Sequence, residues 1–282
     1  MSTSSLAGKT SMITGANSGI GERVTMALAG MGSNVVMVCR DSAKGEEARK
    51  NIIDKTGNQA VELMIADLSS LASVRDLAEN FKQKHDRLHI LVNNAGLIMG
   101  KRIVTKDNLE TTFEVNYLSH FLLTMLLLDT LKASAPSRIV NVSSSAHYSG
   151  KMDFDDLQEE KNYGSMRSYS QSKLAQVLFT YELAKKLEGT GVTVNAVHPG
   201  VVRTRWGDEG GTIGIGIKLA RPFMVSPEKG AETPIYVASS PDVAGITGKF
   251  WEKKKEKTSS KESYDENEAR LLWVVSSKLA NV

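Results

Sequence analysis

Short apolar runs alternate with longer amphipathic stretches along most of the chain. The runs are rich in β-branched residues and are apolar throughout, which is typical of strands buried on both faces of a parallel sheet. The stretches between them have the periodicity of helices. Strands are predicted over residues 10–14, 34–39, 61–65, 90–93, 138–143 and 193–198, and helices over residues 20–31, 44–55, 71–84, 108–131 and 169–187.

This regular alternation predicts the fold class. It favours an α/β fold with a doubly wound, central parallel sheet flanked by helices. Neither an internal repeat nor a linker rich in Pro, Gly or Ser divides the sequence. We therefore expect a single domain over residues 1–282.

One segment interrupts the alternation. Residues 201–226 combine five glycines with isoleucine and leucine, and they follow directly on the sixth predicted strand. Ligands of open α/β sheets bind at the carboxyl ends of the strands, so this segment is predicted to be a mobile lid over an apolar substrate. An ordinary surface excursion with a short buried helix is the alternative.

Composition and charge exclude several functional classes. The net charge of +3 is too small to favour nucleic-acid binding. Cys39 is the only cysteine and the five histidines lack metal-ligand spacing, so we expect neither a disulfide framework nor a metal site. The polar start of the chain and its short apolar runs predict no membrane anchor. These features favour a cytoplasmic protein.

A glycine-rich stretch follows the first predicted strand and opens the first helix. It reads Thr14-Gly15-Ala16-Asn17-Ser18-Gly19-Ile20-Gly21. Glycines at such a place let the backbone approach a pyrophosphate at a helix N-terminus, although the spacing differs from the Gly-x-Gly-x-x-Gly fingerprint. A glycine turn without a ligand is the alternative. The predicted cofactor contacts are Gly15, Asn17, Ser18, Gly19, Ile20 and Gly21.

The end of the second predicted strand bears on the choice of dinucleotide. An acid at this place favours the free 2′-hydroxyl of NAD, whereas an arginine favours the 2′-phosphate of NADP. Arg40 comes first after the strand and can bind a phosphate with its guanidinium, while Asp41 can cap the next helix. We therefore predict NADP(H) over NAD(H). Lys44 either assists Arg40 or is an ordinary surface lysine.

Two further strand ends carry candidate cofactor contacts. Asp67 and Leu68 follow the third strand, where a carboxylate can lie beside an adenine amino group. Asn94, Ala95 and Gly96 follow the fourth strand, where small residues let the backbone line a cofactor. A helix cap at Asp67 and a simple tight turn at residues 93–96 are the alternatives.

Tyr169 and Lys173 suggest proton-transfer chemistry. Four residues apart on a helix, the phenol and the ammonium share a face. Proton transfer near neutrality requires the tyrosine pKa to fall by about three units, or roughly 4 kcal/mol. An ammonium about 4 Å away stabilises the phenolate by about the same free energy at an effective dielectric of 20. Such pairs also occur on solvated helices, so the pair alone does not establish catalysis.

The order of these motifs resembles the short-chain dehydrogenase/reductase family over essentially the whole chain. Residues 138–144 and 198–202, and the 25-residue interval between Ser144 and Tyr169, are similar to retinol dehydrogenases and their relatives. The resemblance implies a Rossmann fold. Its dinucleotide-binding part would lie at about residues 1–140, and its catalytic and substrate-binding part at about 141–282.

The resemblance also implies catalytic roles. Tyr169 would donate a proton to a carbonyl oxygen during reduction and accept it during oxidation. Lys173 would lower the pKa of Tyr169 and bind the nicotinamide ribose. Asn116 would hold a water that links Lys173 to solvent, or its amide would simply bond neighbouring backbone. Ser144, rather than either adjacent serine, would hydrogen-bond the substrate oxygen.

The remaining predicted contacts follow the sixth strand. The resemblance places Pro199 and Gly200 beside the nicotinamide, and either Val201 or Thr204 at its carboxamide. Val202 is a further predicted cofactor contact. His198 is interpreted as packing or strand-end polarity rather than a base. For His147 and Tyr148, contact with substrate and exposure to solvent both stay open.

The functional hypothesis is an NADP(H)-dependent oxidoreductase that interconverts a small-molecule carbonyl and alcohol. A lipophilic aldehyde, a retinoid-like compound or a ketone is the expected substrate. A steroid or quinone reductase would use the same residues, and a catalytically silent dinucleotide-binding interaction module is an alternative of another class. Predicted helices 108–131 and 169–187 carry surplus apolar residues, which indicate either a homodimer or homotetramer interface or simple core packing.

Overall fold

The buried apolar runs form one sheet in the computed structural model, which describes residues 5–200 and 225–282. Across the sheet, these described residues give the order β3-β2-β1-β4-β5-β6-β7-β8, with all neighbours parallel except β7 and β8. The strands are β1 (Thr10–Thr14), β2 (Asn34–Cys39), β3 (Val61–Ile65), β4 (Ile90–Asn93), β5 (Ser137–Val142), β6 (Val192–His198), β7 (Phe250–Glu252) and β8 (Lys255–Lys257).

Helices cover both faces of this sheet, which confirms the predicted doubly wound α/β fold. The helices are α1 (Gly19–Gly30), α2 (Ser42–Thr56), α3 (Leu71–Lys84), α4 (Thr111–Phe113), α5 (Ser119–Leu126), α6 (Leu128–Ala133), α7 (Ser165–Lys186), α8 (Pro227–Ser239) and α9 (Glu266–Ala280). Among the described residues, no helix is both long and apolar enough to cross a membrane.

Alternate residues of each strand enter different hydrophobic cores. In β1, Met12 packs with the cluster that includes α3, α5 and α7, whereas Ile13 packs with the cluster that includes α1 and α8. Because both faces of β1 are buried, its sequence is a continuous apolar run instead of an alternation. The sheet reverses its order between β1 and β4, so a crevice opens at their carboxyl ends.

The predicted helix over residues 108–131 is broken in the structure. Helix α4 passes into a π-helical turn over Glu114–Leu118, which continues into α5 and α6. The turn is buried at every position. An inserted residue shifts the helical periodicity of polar positions, but a segment that is buried on all sides has no polar face in which this shift could be seen. The sequence therefore predicted one continuous helix.

Glu114 brings a carboxyl group into the hydrophobic interior at this turn. Its side chain is fully buried, and no hydrogen bond of ordinary geometry reaches its oxygens from the described residues. Burial raises the pKa of Glu114 to about 8, and the nearby carboxylates of Asp107 and Asp67 add to the rise, while Thr105 partly opposes it. The folded protein therefore holds this group mainly protonated at neutral pH.

We expect Glu114→Gln to stabilise the protein, and increasingly so as the pH rises. A carboxyl whose pKa is higher in the folded state stabilises the fold fully below its unfolded pKa near 4.5, and this contribution is lost as the pH rises through about 8. A neutral amide avoids the loss. Urea unfolding should give little difference at pH 5 and a gain on the order of 2 kcal/mol at pH 9.

Glu110→Gln is the matched control for this change. Glu110 is also buried, but its oxygens accept from the backbone of Thr112 and Phe113 and from the Ser168 hydroxyl. An amide nitrogen cannot accept these bonds, so this variant should be destabilised. Equal stability of Glu114→Gln and the parent protein at pH 9 would contradict the interpretation of Glu114.

Helix α9 covers the outer face of α5 and α7. The Trp273 ring lies 5.3 Å from Phe121 and 5.9 Å from Phe179, measured between ring centroids. The Ser276 hydroxyl lies 2.7 Å from that of Tyr117. Much of the surplus of apolar residues in this region is thereby buried within the chain. The fully buried members are Leu118, Leu122, Val177 and Leu178.

Candidate active site

A cavity of about 880 Å³ runs along the carboxyl ends of the parallel strands. It brings together most of the predicted site residues, although they come from six strand ends and from α7. The predicted residues that line it are Gly15, Asn17, Ser18, Gly19, Ile20, Arg40, Asp67, Leu68, Asn94, Ala95, Gly96, Ser144, Tyr169, Lys173, Pro199 and Gly200.

Five predicted site residues are not among those lining residues. Gly21 and Asn116 lie behind the wall of the cavity and contact residues that do line it. Val201, Val202 and Thr204 lie outside the described residues. The same holds for the lid predicted over residues 201–226, apart from its last two positions.

The glycine loop is held by close contacts that exclude side chains. Gly15 has φ +65°, a conformation that favours glycine. A Cβ atom on Gly21 would lie 2.2 Å from the carbonyl oxygen of Gly15 and 2.5 Å from Nδ2 of Asn94. The third glycine therefore lets the start of α1 pack directly against the loop. Gly19 and Ile20, in the first turn of this helix, line the cavity, and the first N–H groups of a helix lack intrahelical partners.

Thr14 joins the glycine loop to the turn after β4. Its hydroxyl oxygen accepts the backbone N–H groups of Asn94 at 2.9 Å and of Ala95 at 3.0 Å. Nδ2 of Asn94 donates to the carbonyl of Thr14 at 2.8 Å. This network fixes the two strand ends on either side of the switch point, so residues 93–96 are more than an isolated tight turn.

His120 completes the hydrogen bonding of Thr14. Its Nδ1 lies 3.1 Å from the carbonyl oxygen of Asn116 and must donate, because a carbonyl can only accept. Nε2 of the neutral ring then accepts the Thr14 hydroxyl proton at 2.9 Å. Burial lowers the pKa of His120 to about 4, so the ring stays neutral in this role at physiological pH.

Arg40 and Asp41 have different surroundings at the end of β2. Asp41 caps α2, since its Oδ1 accepts from the backbone of Lys44 at 3.0 Å, and its Oδ2 lies 3.7 Å from the Lys44 ammonium. Arg40 is exposed and lines the cavity. The arginine is thus the charged residue of this pair that lines the cavity.

Asp67 lines the cavity without capping α3. The cap of that helix is Ser70, which accepts from the backbone of Ser73. Asp67 instead accepts from the backbone N–H of Ser69 at 3.0 Å and from its hydroxyl at 2.7 Å. The helix-cap alternative for Asp67 is therefore wrong, and its carboxylate is fixed at the wall of the cavity.

Ser144, Tyr169 and Lys173 meet at the other end of the cavity. The hydroxyl groups of Tyr169 and Ser144 are hydrogen-bonded to each other. Nζ of Lys173 lies 5.6 Å from the centroid of the Tyr169 ring. Of the neighbouring serines, Ser143 is buried and donates to the backbone carbonyl of Lys173 at 2.9 Å. Ser144 is thus the serine whose hydroxyl is paired with Tyr169.

Burial shifts the pKa values of the tyrosine and the lysine in opposite directions. It raises the pKa of the Tyr169 phenol, which the hydrogen bond with Ser144 partly offsets. It lowers the pKa of the Lys173 ammonium to about 7. The lowering of the Tyr169 pKa that the sequence led us to expect is therefore opposed by desolvation and stays a prediction.

Two histidines hold the loop that carries Ser144. Nδ1 of His198 accepts the backbone N–H of Ser145 at 3.1 Å. Nδ1 of His147 donates to the carbonyl of Ser144 at 2.6 Å, and its Nε2 accepts the N–H of Ser260 at 3.1 Å. Burial lowers the pKa of both rings, that of His198 to about 4.

Burial bears on the alternatives left open for His147 and Tyr148. His147 is fully buried and bonds the Ser144 backbone, so it does not face solvent. Tyr148 is half exposed and donates to the carbonyl of Thr258. His198 lines the cavity and orients the serine loop, which agrees with strand-end polarity.

The sequence did not identify the apolar part of the cavity wall. Several of these residues are the last positions of strands or their immediate neighbours, so proximity to a strand's carboxyl end was the available signal. Met166 and Pro227 had no such signal, because only tertiary packing brings them to the cavity. The additional apolar lining residues are Val38, Ala66, Leu97, Ile98, Val115, Val142, Ala146, Met166 and Pro227.

Comparison with known proteins gives consistent matches over the chain. The protein-family model for short chain dehydrogenase matches residues 9–212. Retinol dehydrogenase 13 from Homo sapiens is 44% identical over 288 residues, with 100% of this chain and 87% of that protein covered. Retinol dehydrogenase 12 from Homo sapiens is 45% identical over 277 residues, with 98% of this chain and 88% of that protein covered.

Solved structures share the same fold. An uncharacterized protein from Mycobacterium paratuberculosis superposes with a TM-score of 0.82 at 32% identity, covering 100% of this chain and 96% of that one. The Pseudomonas aeruginosa RhlG/NADP active-site complex superposes with a TM-score of 0.70 at 28% identity, covering 87% of this chain and 94% of that one.

Proposed function

The chain belongs to the short chain dehydrogenase family, and we propose that this oxidoreductase uses NADP(H) to interconvert a lipophilic carbonyl compound and its alcohol. The observation that carries the proposal is the meeting of Tyr169, Ser144 and Lys173 in one cavity with the glycine loop. The residues proposed to donate the proton and those proposed to bind the nucleotide thus line the same cavity. Both are needed for reduction of a carbonyl.

The residues that are present fit a nicotinamide dinucleotide. The glycine loop forms a cradle that a Cβ atom on Gly21 would fill, and the N-terminus of α1 offers backbone donors to a pyrophosphate. Gly15, Ser18 and Ile20 would bind the phosphates, Asp67 the adenine, and Lys173 the nicotinamide ribose. When bound, this cofactor supplies or accepts the hydride. The NADP complex of RhlG is consistent with such a ligand.

In this proposal, Tyr169, Ser144 and Lys173 transfer the proton and stabilise the charge that develops on the substrate oxygen. The Tyr169 hydroxyl would deliver a proton to the carbonyl oxygen during reduction, and its phenolate would accept that proton from the alcohol during oxidation. The Ser144 hydroxyl would donate a hydrogen bond to the same oxygen. Lys173 would favour the phenolate through its positive charge, against the burial that disfavours it.

The apolar wall of the cavity supports a lipophilic substrate. Leu97, Ile98 and Met166 line it near the catalytic residues, and Met166 is more than half exposed. Two relatives are named retinol dehydrogenases. A lipophilic aldehyde, a retinoid-like compound or a ketone is therefore the proposed substrate. Kinetics with NADPH across these classes, steroids and quinones will test it, and activity confined to steroids or quinones would refute it.

Arg40→Ala should change the cofactor preference. The guanidinium can bind a 2′-phosphate through two charge-assisted hydrogen bonds, whereas NADH has no phosphate there. We expect the dissociation constant for NADPH, measured by fluorescence titration, to rise about 10- to 100-fold. The constant for NADH should stay within about threefold.

Lys44→Ala is the control for Arg40→Ala. The Lys44 ammonium is exposed and lies near Asp41 in the first turn of α2, so its removal should change neither constant appreciably. Equal weakening of NADPH and NADH by Arg40→Ala would reject the phosphate contact and with it the basis for NADP(H) over NAD(H).

Assembly and location are separate parts of the proposal. Because Leu118, Leu122, Val177 and Leu178 are fully buried within the chain, they cannot form the interface of a homodimer or homotetramer. Multi-angle light scattering measures the assembly. A cytoplasmic location stays a prediction, to be measured by cell fractionation.

A further inference from the structure

Gln176 lies one turn after Lys173 on α7 and is almost completely buried. Its Oε1 accepts from Nζ of Lys173 at 3.0 Å, and its Nε2 donates to the carbonyl oxygen of Asn116 at 2.8 Å. One side chain thus connects the catalytic lysine to the π-helical turn. Nothing in the sequence analysis had singled out this residue.

The chemistry of the two partners fixes the orientation of this amide. An ammonium can only donate and a backbone carbonyl can only accept. The amide oxygen must therefore face Lys173 and the amide nitrogen must face Asn116. With the two groups exchanged, both contacts would be repulsive.

Asn116 has its polar groups engaged by protein. Its side chain accepts from the backbone N–H of Leu97 and donates to the Leu97 carbonyl and the Ser172 hydroxyl. Its backbone carbonyl accepts from His120 at 3.1 Å and from Gln176 at 2.8 Å. A carbonyl oxygen has two lone pairs, so a water at this carbonyl would have to displace one of these donors.

The ammonium of Lys173 is directed by the same contacts. It donates to the carbonyl of Val142 at 3.0 Å and to Gln176 at 3.0 Å. Both acceptors are neutral, and an ammonium has three N–H donors. Lys173 itself lines the cavity, so the remaining donor is available to a ligand there.

We propose that Gln176 is a positioning residue that joins Lys173 directly to Asn116, taking the place of a relay water and turning one N–H of the ammonium toward the cavity. This inference rests on the catalytic role proposed for Lys173. It departs from the water that the sequence resemblance implied at Asn116.

Titration of Lys173 by NMR tests the proposal on the full-length chain, without substrate or cofactor. Lysines labelled at Cε are observed across a pH series, and Lys173→Arg identifies the signal. Burial beside neutral acceptors gives the parent lysine a pKa of about 7. Gln176→Glu should raise that pKa by at least about one unit, because it adds a buried opposite charge. Gln176→Met should lower it, because an acceptor is lost.

Gln171→Met and Gln171→Glu are the matched controls. Gln171 is a buried glutamine on the same helix, but its amide bonds the backbone of Leu157 and Asp153. Neither change should move the Lys173 titration. If the pKa of Lys173 is unchanged in both Gln176 variants, Gln176 is only a packing residue and the proposal is overturned. If Gln176→Glu does not fold, the result for Gln176→Met alone decides the test.

Steady-state kinetics give a second measurement, whose result would not change if Gln176 only packed against its neighbours. With any accepted carbonyl substrate, Gln176→Met should lower kcat about tenfold, leave the substrate KM nearly constant, and displace the pH profile of kcat. A parent protein that reduces no carbonyl would refute the proposed function while leaving the NMR result intact. The two failures are therefore distinguishable.

Discussion

Replacement of Tyr169 by Phe is expected to lower kcat/KM about a thousand-fold, the middle of the range for loss of a positioned general acid or base. The change removes one hydroxyl and keeps the ring, which is 7% exposed and packed in α7. The hydrogen bond with Ser144 is lost. Steady-state kinetics should show the loss in kcat, while the dissociation constant for NADPH stays within about threefold.

Tyr181→Phe on the same helix is the control for this variant. The Tyr181 hydroxyl is bonded to the Ser259 hydroxyl at 2.6 Å, and Tyr181 is not among the residues that line the cavity. Its loss should leave kcat/KM close to that of the parent protein. Turnover of Tyr169→Phe within about tenfold of the parent protein would show that another group moves the proton.

Gly21→Ala is expected to weaken NADPH binding at least about 100-fold, a loss of roughly 2.7 kcal/mol or more. The new methyl group would lie 2.2 Å from the backbone oxygen of Gly15. Backbone cannot rotate away as a flexible side chain can, so the loop or the start of α1 must move. The donors that would face the pyrophosphate move with it. Overpacking of this kind also costs about 1–3 kcal/mol of stability.

Gly30→Ala is the matched change at the other end of α1. A Cβ atom there would have its nearest neighbour at 3.9 Å, in the side chain of Thr56. Alanine is a better helix former than glycine, so the variant should bind NADPH normally and be at least as stable as the parent protein. Fluorescence titration and thermal unfolding of both variants give the comparison. Normal NADPH affinity in Gly21→Ala would contradict the role assigned to the loop.

Local sequence information was sufficient for the first six strands and the glycine loop. A strand such as β2 is apolar on both faces, and that pattern survives in the sequence without knowledge of its neighbours. Gly21 is constrained by the backbone of Gly15, which lies close to it along the chain, and Gly15 is constrained by its own positive φ. The Tyr169 and Lys173 pair depends only on helical spacing, so the sequence also placed these residues on one face.

Features that depend on distant contacts were not predictable in this way. β7 and β8 have three residues each, and their pairing is set by the preceding sheet. Gln176 meets Asn116 across 60 positions of sequence, and His147 meets Ser260 across 113. Nothing local in a glutamine or a histidine indicates such a partner. The opposing effect of burial on the Tyr169 pKa likewise required the position of α7 in the core.

The late position of α9 in the sequence has a consequence for synthesis on the ribosome. Helix α7 ends at Lys186, whereas α9, which covers it, begins at Glu266. At about 5–20 residues per second, translation of the intervening chain takes several seconds. During that interval the aromatic surface around Phe121 and Phe179 has emerged without its cover. Each nascent chain therefore exposes an aggregation-prone apolar surface until Trp273 has been synthesised.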